Sequence, residues 1–383
     1  MTRWRVPPDL VLAALTCGAA VGLGEVAARG YAAVSPRFAR QVAAADPLSA
    51  LVEPHGDLGF RQKPYSRYHY LNGTVATANA LGYRGPTVTA PKPPGTFRIV
   101  LLGESTTHGW GVNDDQTIDA YMRRALAERY PTRRIEVVNL AFDGYDSYQL
   151  YQRLASDGLR LDPDVLIVHT GINDVRNARF SHLVDRDVRT LLFGETLRIE
   201  RDAALHQMTF WAWCKHHSYL ARLPGMVRGR LVEANAVPTN RTVTPNSEAA
   251  DLFVLNLRRI ADLAAGRGMP VVFSTPPSFI PVNFSAASVA ARSYFIVDTG
   301  TTQRYRDLLA NRMRGVVTQL RLEGRAVAYV HPQLPPQLFL DDCHPTAEGN
   351  QRVAMSFVGA VEPLIEGETA SRERPLLQAA RMR

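Results

Sequence analysis

Four short polar segments of the sequence carry the side chains that acyl-transfer chemistry needs. They supply a hydroxyl, a glycine with an unobstructed backbone N–H, a side-chain amide, and a carboxylate close to an imidazole. The residues concerned are Ser105, Gly144, Asn173, Asp341 and His344. This set could attack an ester carbonyl, stabilise the resulting oxyanion and move the proton. It therefore predicts a serine-dependent site for acyl transfer.

The candidate nucleophile, Ser105, follows a predicted strand at the start of a helical turn. Such a turn exposes the hydroxyl and places it near the positive end of the helix. The surrounding sequence is not the Gly-x-Ser-x-Gly elbow of α/β-hydrolases, because Thr107 replaces the second glycine. A serine here could also cap the helix. Gly144 could serve a tight turn, and Asn173 could cap a helix, so no one of the three identifies the site alone.

Asp341 and His344 form the most informative pair. Their spacing allows both side chains to lie on one face of a helical turn. The carboxylate can then orient the imidazole while the other ring nitrogen faces Ser105. Two rivals stay open, His108 as the base and Asp342 as the carboxylate. We expect His108 to flank the cleft, and the spacing favours Asp341.

The elements that must position these residues alternate between short apolar runs and longer amphipathic stretches. Continuous Val, Ile and Leu runs are typical of strands buried on both faces of a parallel sheet. The predicted strands are 97–102, 135–141, 164–170, 269–274 and 326–330, and the predicted helices are 117–130, 147–161, 247–265, 302–322 and 346–365. The alternation predicts an α/β fold, a three-layer α/β/α sandwich with a central parallel sheet. Ligands bind such sheets at the carboxyl ends of the strands, where the polar segments lie.

One catalytic domain, residues 96–365, accounts for these elements, and other segments flank or interrupt it. Residues 35–95 are rich in Pro, Gly, Tyr and Arg and are predicted to be an irregular approach segment. Residues 181–245 form a Trp/His/Arg-rich insertion that could be a lid, a substrate wall or a helical pair covering the sheet. The tail, 366–383, carries mixed charge and is expected to fray.

The amino terminus, residues 1–34, is predicted to be a signal or a membrane anchor. Arg3 and Arg5 precede an uncharged apolar run from Leu10 to Gly24. Fifteen helical residues rise about 22 Å, short of the roughly 30 Å hydrocarbon core. A secretory signal cleaved after Ala28, an anchoring helix extended to residue 34 and a buried amphipathic helix are all compatible with this run. Export or membrane attachment places the catalytic domain in the cell envelope, outside the cytoplasm.

Composition excludes several other classes of function. The chain has 383 residues and a formal net charge of +8, but all except three of its 44 basic residues are arginines. They are scattered along the chain and form no long basic block, so we expect no nucleic-acid partner. The three cysteines are too few and too far apart for a zinc site or a disulfide framework. The tandem His216-His217 diverges by about 100° on a helix and cannot chelate one ion. We expect no metal and no cofactor.

Taken together, the four segments resemble the SGNH hydrolases, also called GDSL-type esterases and lipases. That family is named for a Ser, Gly, Asn and His in four blocks, and the resemblance covers roughly residues 97–365. In family order, the blocks fall on Ser105, Gly144, Asn173 and His344, with Asp341 matching the triad aspartate. The resemblance implies a flavodoxin-like fold and an oxyanion hole. The hole would consist of the N–H groups of the Ser and Gly and the Asn side chain.

Two further features bear on this resemblance. The Asn79-x-x-Gly82-x-Arg84 motif, followed by residues 103–112, is similar to a bacterial subgroup that commonly carries an amino-terminal membrane segment. The sequence departs from the family name at Glu104, where that name has Asp. The resemblance implies no catalytic role for this position, so we discount the departure.

The resemblance implies a serine esterase that hydrolyses carboxylic esters, acyl or acetyl, through an acyl-enzyme. Its substrate would be an ester such as an acylated glycan or lipid. Two alternatives stay open. One is an O-acetyltransferase or deacetylase acting on an envelope polysaccharide, and the other is a catalytically inactive, membrane-tethered carbohydrate-binding domain. The acyl chain, the alcohol and the oligomeric state are not readable from the sequence.

Overall fold

A computed structural model describes residues 7–35, 52–55, 57–70, 72–175, 218–224, 247–280 and 299–381, and positions 38, 42 and 214. Most of the insertion 181–245 lies outside the described residues. So do Trp211, Trp213, His216 and His217. The interpretations of the insertion as a lid, a wall or a helical pair therefore stay predictions.

The amino-terminal helix, α1 (Pro8–Val34), is the one described helix that is long and apolar enough to cross a membrane. It has 27 residues, and its most apolar 18-residue window has a mean hydropathy of 1.9 with none of it buried. The buried amphipathic helix considered above does not fit this exposure. A signal sequence and a membrane anchor both do, because a signal sequence near the amino terminus passes the same test of length and hydropathy.

The approach segment is more regular than predicted. It contains two small antiparallel sheets, one of β1 (Val52–His55) and β2 (Gly59–Gln62), the other of β3 (Arg67–His69) and β4 (Val75–Thr77). Strands of three or four residues are too short to display the alternation that identifies a strand in a sequence. The prediction of an irregular segment was wrong for this reason.

The centre of the catalytic domain is a five-stranded, all-parallel sheet. Its strands are β5 (Thr96–Gly103), β6 (Arg134–Asn139), β7 (Val165–His169), β8 (Val271–Ser274) and β9 (Val327–Val330), in the order β6-β5-β7-β8-β9. Every residue of β5, β7 and β8 is buried, as expected for strands covered on both faces. All five predicted strands are confirmed.

Helices cover both faces of this sheet and confirm the three-layer sandwich. A single turn, α2 (Ser105–His108), follows β5 directly, and the larger helices are α3 (Ile118–Arg129), α4 (Ser147–Ser156), α5 (Glu248–Ala265), α6 (Thr299–Leu322) and α7 (Ala347–Arg381). Met122 of α3 and Phe357 of α7 belong to the core on one face. Phe253 of α5 and Met313 of α6 belong to the core on the other.

The carboxyl-terminal tail differs from its prediction. The backbone of α7 is helical to Arg381, whereas fraying was expected from Glu366. Residues 366–381 are rich in Glu, Arg, Ala and Leu, which favour helix, so mixed charge was a poor indicator of fraying here.

The strand order places a topological switch point between β5 and β7. β5 connects outward to β6, whereas the chain then returns to β7 on the other side of β5. The loops that leave β5 and β7 consequently diverge and open a crevice at the carboxyl edge of the sheet. Ser105 follows β5 and Asn173 follows β7, so two of the predicted site residues border this crevice.

Candidate active site

Ser105 lies at the first position of α2, immediately beyond the end of β5. The turn is tight, because a Cβ at Gly103 would lie 2.0 Å from Thr107 Oγ1. Only glycine allows the helix to fold back so closely over the strand end. Ser105 is 9% exposed and lines a cavity of about 220 Å³.

The structure brings Asp341, His344 and Ser105 into one hydrogen-bonded chain. His344 Nε2 lies 2.8 Å from Ser105 Oγ, and His344 Nδ1 lies 2.7 Å from Asp341 Oδ2. The other carboxylate oxygen, Asp341 Oδ1, accepts the backbone N–H groups of Cys343 at 2.9 Å and His344 at 2.8 Å. These bonds fix the carboxylate against the ring, so Nδ1 carries the proton and Nε2 faces the hydroxyl.

The pKa shifts of Asp341 and His344 agree with this geometry. Burial favours the neutral forms of both side chains, but the hydrogen bond and the opposite charge of His344 hold the pKa of Asp341 well below its usual range. Burial lowers the pKa of His344, but interactions with Cys343 and with the Asp341 carboxylate outweigh it and raise that pKa well above 6.5. The pair therefore favours a charged imidazole, the form that the ring takes after removing a proton from serine.

Neither rival suggested by the sequence contacts Ser105. His108 is buried, with Nδ1 2.8 Å from Asp143 Oδ1 and Nε2 3.2 Å from Gln62 Oε1. Asp342 pairs instead with Arg306, whose Nη2 lies 2.6 Å from Asp342 Oδ2. Both side chains are thus engaged elsewhere, and Asp341, which the spacing favoured, is the aspartate bonded to the His344 ring.

Gly144 and Asn173 line the same cavity as Ser105. Gly144 has φ +85°, a left-handed conformation that favours glycine. Asn173 is buried, and its Nδ2 donates to the backbone carbonyl of Tyr145 at 2.7 Å. That bond orients the amide and ties the loop after β7 to the loop that contains Gly144. All five predicted site residues consequently line one cavity.

Glu104 organises the Asn173 side of the cavity, which the sequence did not reveal. Its buried carboxylate accepts the hydroxyl of Thr170 at 2.6 Å and the backbone N–H groups of Gly171 at 2.6 Å and Ile172 at 3.1 Å. The second oxygen accepts the N–H of Asn173 at 2.8 Å. Sequence reasoning assigned this position no structural role. A carboxylate between a buried strand and a buried serine needs hydrogen-bond donors nearby. That position in the sequence was the signal that could have indicated the role of Glu104.

Trp110 is a second residue that sequence reasoning missed. Its ring lies 4.5 Å from the His344 ring, centroid to centroid, and it lines the cavity. The indole therefore covers the imidazole and limits its exposure to water.

Arg84, from the approach segment, supports the loop that carries Trp110. It is buried and donates to the backbone carbonyls of His108 at 3.0 Å, Gly109 at 2.5 Å and Val112 at 2.6 Å. Its Nε lies 2.6 Å from Asp114 Oδ1. The Asn79-x-x-Gly82-x-Arg84 motif thus contributes an internal brace for the nucleophile turn.

One group of described residues has the spacing of metal ligands. The candidate ligand atoms of Asp341, Cys343 and His344 lie within 4.8 Å of one another. His344 Nδ1 and Asp341 Oδ2 are, however, bonded to each other. The geometry of this group is therefore that of a carboxylate orienting an imidazole.

Comparison with known proteins bears on this site. The model of the GDSL-like Lipase/Acylhydrolase family matches residues 101–352, well over half of the chain. The chain belongs to this family. No curated protein matches it. As a GDSL-like acylhydrolase it is an enzyme that hydrolyses esters. Both the family and the fold expected from the sequence are confirmed.

Several solved structures are similar to this acylhydrolase at low sequence identity. An α/β hydrolase from the metagenome of Lake Arreo is 20% identical, with a TM-score of 0.39, and the match covers 69% of this chain and 94% of that one. A GDSL-like lipase from Bacteroides thetaiotaomicron is 15% identical, with a TM-score of 0.37 and coverages of 70% and 88%. A catalytic mutant of an acetylxylan esterase from Geobacillus stearothermophilus is 15% identical, with a TM-score of 0.40 and coverages of 70% and 94%.

Proposed function

We propose that this acylhydrolase is a serine esterase that uses Ser105, His344 and Asp341 as a catalytic triad. The observation that carries the proposal is the continuous chain of short contacts from Asp341 through His344 to Ser105, 2.7 Å and 2.8 Å long, inside a cavity. Asn173 and Gly144 line the same cavity and supply donors for an oxyanion.

The mechanism is a two-step acyl transfer. Ser105 Oγ attacks the ester carbonyl carbon while its proton passes to His344 Nε2, and the carbonyl oxygen becomes an oxyanion. The N–H groups of Ser105 and Gly144 and the Asn173 amide stabilise that oxyanion. Collapse expels the alcohol, which takes the proton from His344, and leaves an acyl-serine. Water then attacks this ester with His344 as the base, releasing the acid and restoring the serine.

Asn173 suits this role because a side-chain amide carries two hydrogens. One is donated to the carbonyl of Tyr145 at 2.7 Å and fixes the amide. We assign the second amide hydrogen to the oxyanion. A donor held in place before the reaction needs no reorganisation as the charge develops, which is the condition for strong stabilisation.

The cavity beside Ser105 favours a short acyl group. Its volume is about 220 Å³, and its walls include Trp110, Ile172 and Cys343. Small-molecule sites usually measure roughly 300–1,000 Å³, so this cavity holds only part of a substrate. An acetyl or similarly short chain fits beside these apolar walls.

Hydrolysis of p-nitrophenyl acetate by the full-length chain in detergent tests the proposal. We expect Ser105→Ala to abolish turnover and labelling by a fluorophosphonate probe. Ser356→Ala, at a half-buried serine on α7, should retain both. Equal rates for wild type and Ser105→Ala would contradict the nucleophile. An unlabelled wild type would favour the inactive binding domain, and an acetylated product formed with a polysaccharide acceptor would favour the acetyltransferase.

We also propose that α1 stays attached as an anchor in the cell envelope. The Glu25 carboxylate accepts three hydrogen bonds from the start of the helical segment 219–224, namely from Ser218 Oγ at 2.7 Å and from the N–H groups of Tyr219 and Leu220 at 3.0 Å each. Next to it, a Cβ at Gly24 would lie 3.1 Å from Leu220. Cleavage after Ala28 would remove Glu25 and leave these donors without it.

The mass of the mature amino terminus, measured on protein from the membrane fraction, tests the anchor. We expect a chain that retains residues 1–34 and that alkaline carbonate does not extract. A mature chain beginning at Arg29 would contradict retention and would identify α1 as a cleaved signal.

A further inference from the structure

A second, larger cavity lies beside the one that contains Ser105. Its volume is about 490 Å³, within the range of small-molecule sites. Residues that follow β7, β8 and β9 line it together with one face of α6, so it opens at the carboxyl edge of the sheet. Ile172 and Arg306 line both cavities. The two cavities are therefore neighbours along the carboxyl edge of the sheet.

The lining of this second cavity is rich in groups that bond hydroxyls. It contains the amide or hydroxyl side chains of Ser278, Gln303, Asn311 and Gln333. Amides both donate and accept hydrogen bonds, as sugar hydroxyls do. His331 joins them, with its Nδ1 2.7 Å from Thr275 Oγ1.

Two arginines and one aspartate line the cavity, and one of the arginines is neutralised by an aspartate outside the lining. Arg306 is buried and paired with Asp342, with 2.6 Å between Nη2 and Oδ2. Arg314 and Asp307 lie on the same helix and act on His331 with opposite sign. Burial, the largest influence, lowers the pKa of His331 below 6.5, so the ring is neutral at neutral pH. A neutral molecule with many hydroxyls matches this lining better than an anion does.

We propose that the second cavity is the binding site for the alcohol part of the substrate, and that this alcohol is a neutral, hydroxyl-rich sugar. The inference rests on the proposed esterase activity at Ser105. The acyl group occupies the small cavity beside Trp110, the ester carbonyl lies at Ser105, and the sugar lies between the strand ends and α6. The substrate class is then a sugar or glycan carrying a short acyl ester.

Two esters with the same acyl group distinguish sugar binding in the second cavity from the acyl-transfer reaction at Ser105. 6-O-acetylglucose has a sugar leaving group, whereas p-nitrophenyl acetate lacks hydroxyls that the cavity could bind. The variants are Gln303→Leu and Asn311→Leu, which remove polar groups, and Ala310→Trp, which fills the cavity. Gln319→Leu, on the exposed side of the same helix, is the matched control.

We expect Gln303→Leu and Asn311→Leu each to lower kcat/KM for the sugar ester about five- to tenfold, the effect of losing one hydrogen bond. Ala310→Trp should lower it further. p-Nitrophenyl acetate should change less than about twofold in the two leucine variants, because its leaving group has no sugar hydroxyls for these side chains to bind. Gln319→Leu should leave both esters unchanged. Parallel losses on the two esters in the leucine variants, or no loss on the sugar ester, would overturn the proposal.

Calorimetric binding in the Ser105→Ala background keeps the test independent of catalysis. We expect 6-O-acetylglucose to bind this variant and to lose affinity when Ala310→Trp is added. Absence of binding would overturn the sugar site even in an active esterase. Binding without any hydrolysis by wild type would refute the esterase and leave the sugar site standing. Tighter binding of an acetylated glucuronate than of the neutral sugar would overturn the assignment to a neutral ligand.

Discussion

The two sides of the proposed active site, the base side and the oxyanion side, are built in different ways. On the base side, Asp341 and His344 are three positions apart in a single loop, and the backbone of that loop bonds the carboxylate that holds the ring. On the oxyanion side, Gly144 and Asn173 come from loops after different strands. They are held by the carbonyl of Tyr145 and the carboxylate of Glu104.

This difference determines which residues each side depends on. The base side is self-contained, so its function should be lost only when its own residues change. The oxyanion side is assembled by tertiary contacts, so a residue that never touches the substrate should affect it strongly. Glu104 is that residue, because its carboxylate bonds four donors in the loop that carries Asn173.

The largest effect is expected on the base side. Asp341→Asn preserves the shape of the side chain but removes the charge that stabilises the imidazolium, and it reverses the preferred tautomer of His344. We expect kcat/KM for p-nitrophenyl acetate to fall by about 10⁴. Asp115→Asn, at an exposed site, should be without effect. A loss below about tenfold would show that another group orients His344.

Asn173→Ala should have the next largest effect. Loss of one oxyanion donor lowers kcat by about 10²–10³, equivalent to roughly 2.7–4 kcal/mol, with little change in KM. Asn173→Asp should be at least as slow, because an anion repels the developing oxyanion. Steady-state kinetics that show only a raised KM would place Asn173 in substrate binding instead.

Glu104→Gln tests the dependence on a residue outside the substrate's reach. The amide presents hydrogens to backbone N–H groups that now meet carboxylate oxygens, so Asn173 should shift. We expect kcat to fall about 10- to 100-fold. In the Asn173→Ala background the same change should have much less effect, because coupled residues are not additive. Additive losses would mean that Glu104 acts only on folding, and thermal unfolding of the single variant would check this.

The smallest effect is expected in the pH dependence of kcat/KM, which reports the pKa of His344. His344 must be neutral to accept the serine proton, and its pKa is raised above 6.5, so kcat/KM should rise with pH to a midpoint above that value. Cys343→Ala should lower this midpoint, because the Cys343 thiol lies 3.6 Å from His344 Nδ1 and its interactions help to raise the pKa of His344. A midpoint that does not move would contradict this contribution and leave Asp341 as the group that raises the pKa of His344.

Features that depend on local sequence were predictable, whereas features that depend on tertiary contacts were not. The five strands were predictable because buried parallel strands are continuous apolar runs. The contact of Asp341 with His344 was predictable because the two residues are three positions apart in the sequence. The small sheets of the approach segment were not, since strands of three or four residues leave no pattern. The bracing role of Arg84 was not either, because its bonds reach 24 to 30 residues along the chain.

The sequence by itself therefore determined the fold class, the family and the residues of the proposed site. These depend on local periodicity and on residue types at the ends of strands. The tertiary structure alone decided how Glu104 holds the oxyanion loop, how Trp110 covers His344 and where the second cavity lies. Each of these joins segments that are distant in the chain, and only the packing of helices on the sheet brings such segments within hydrogen-bonding distance.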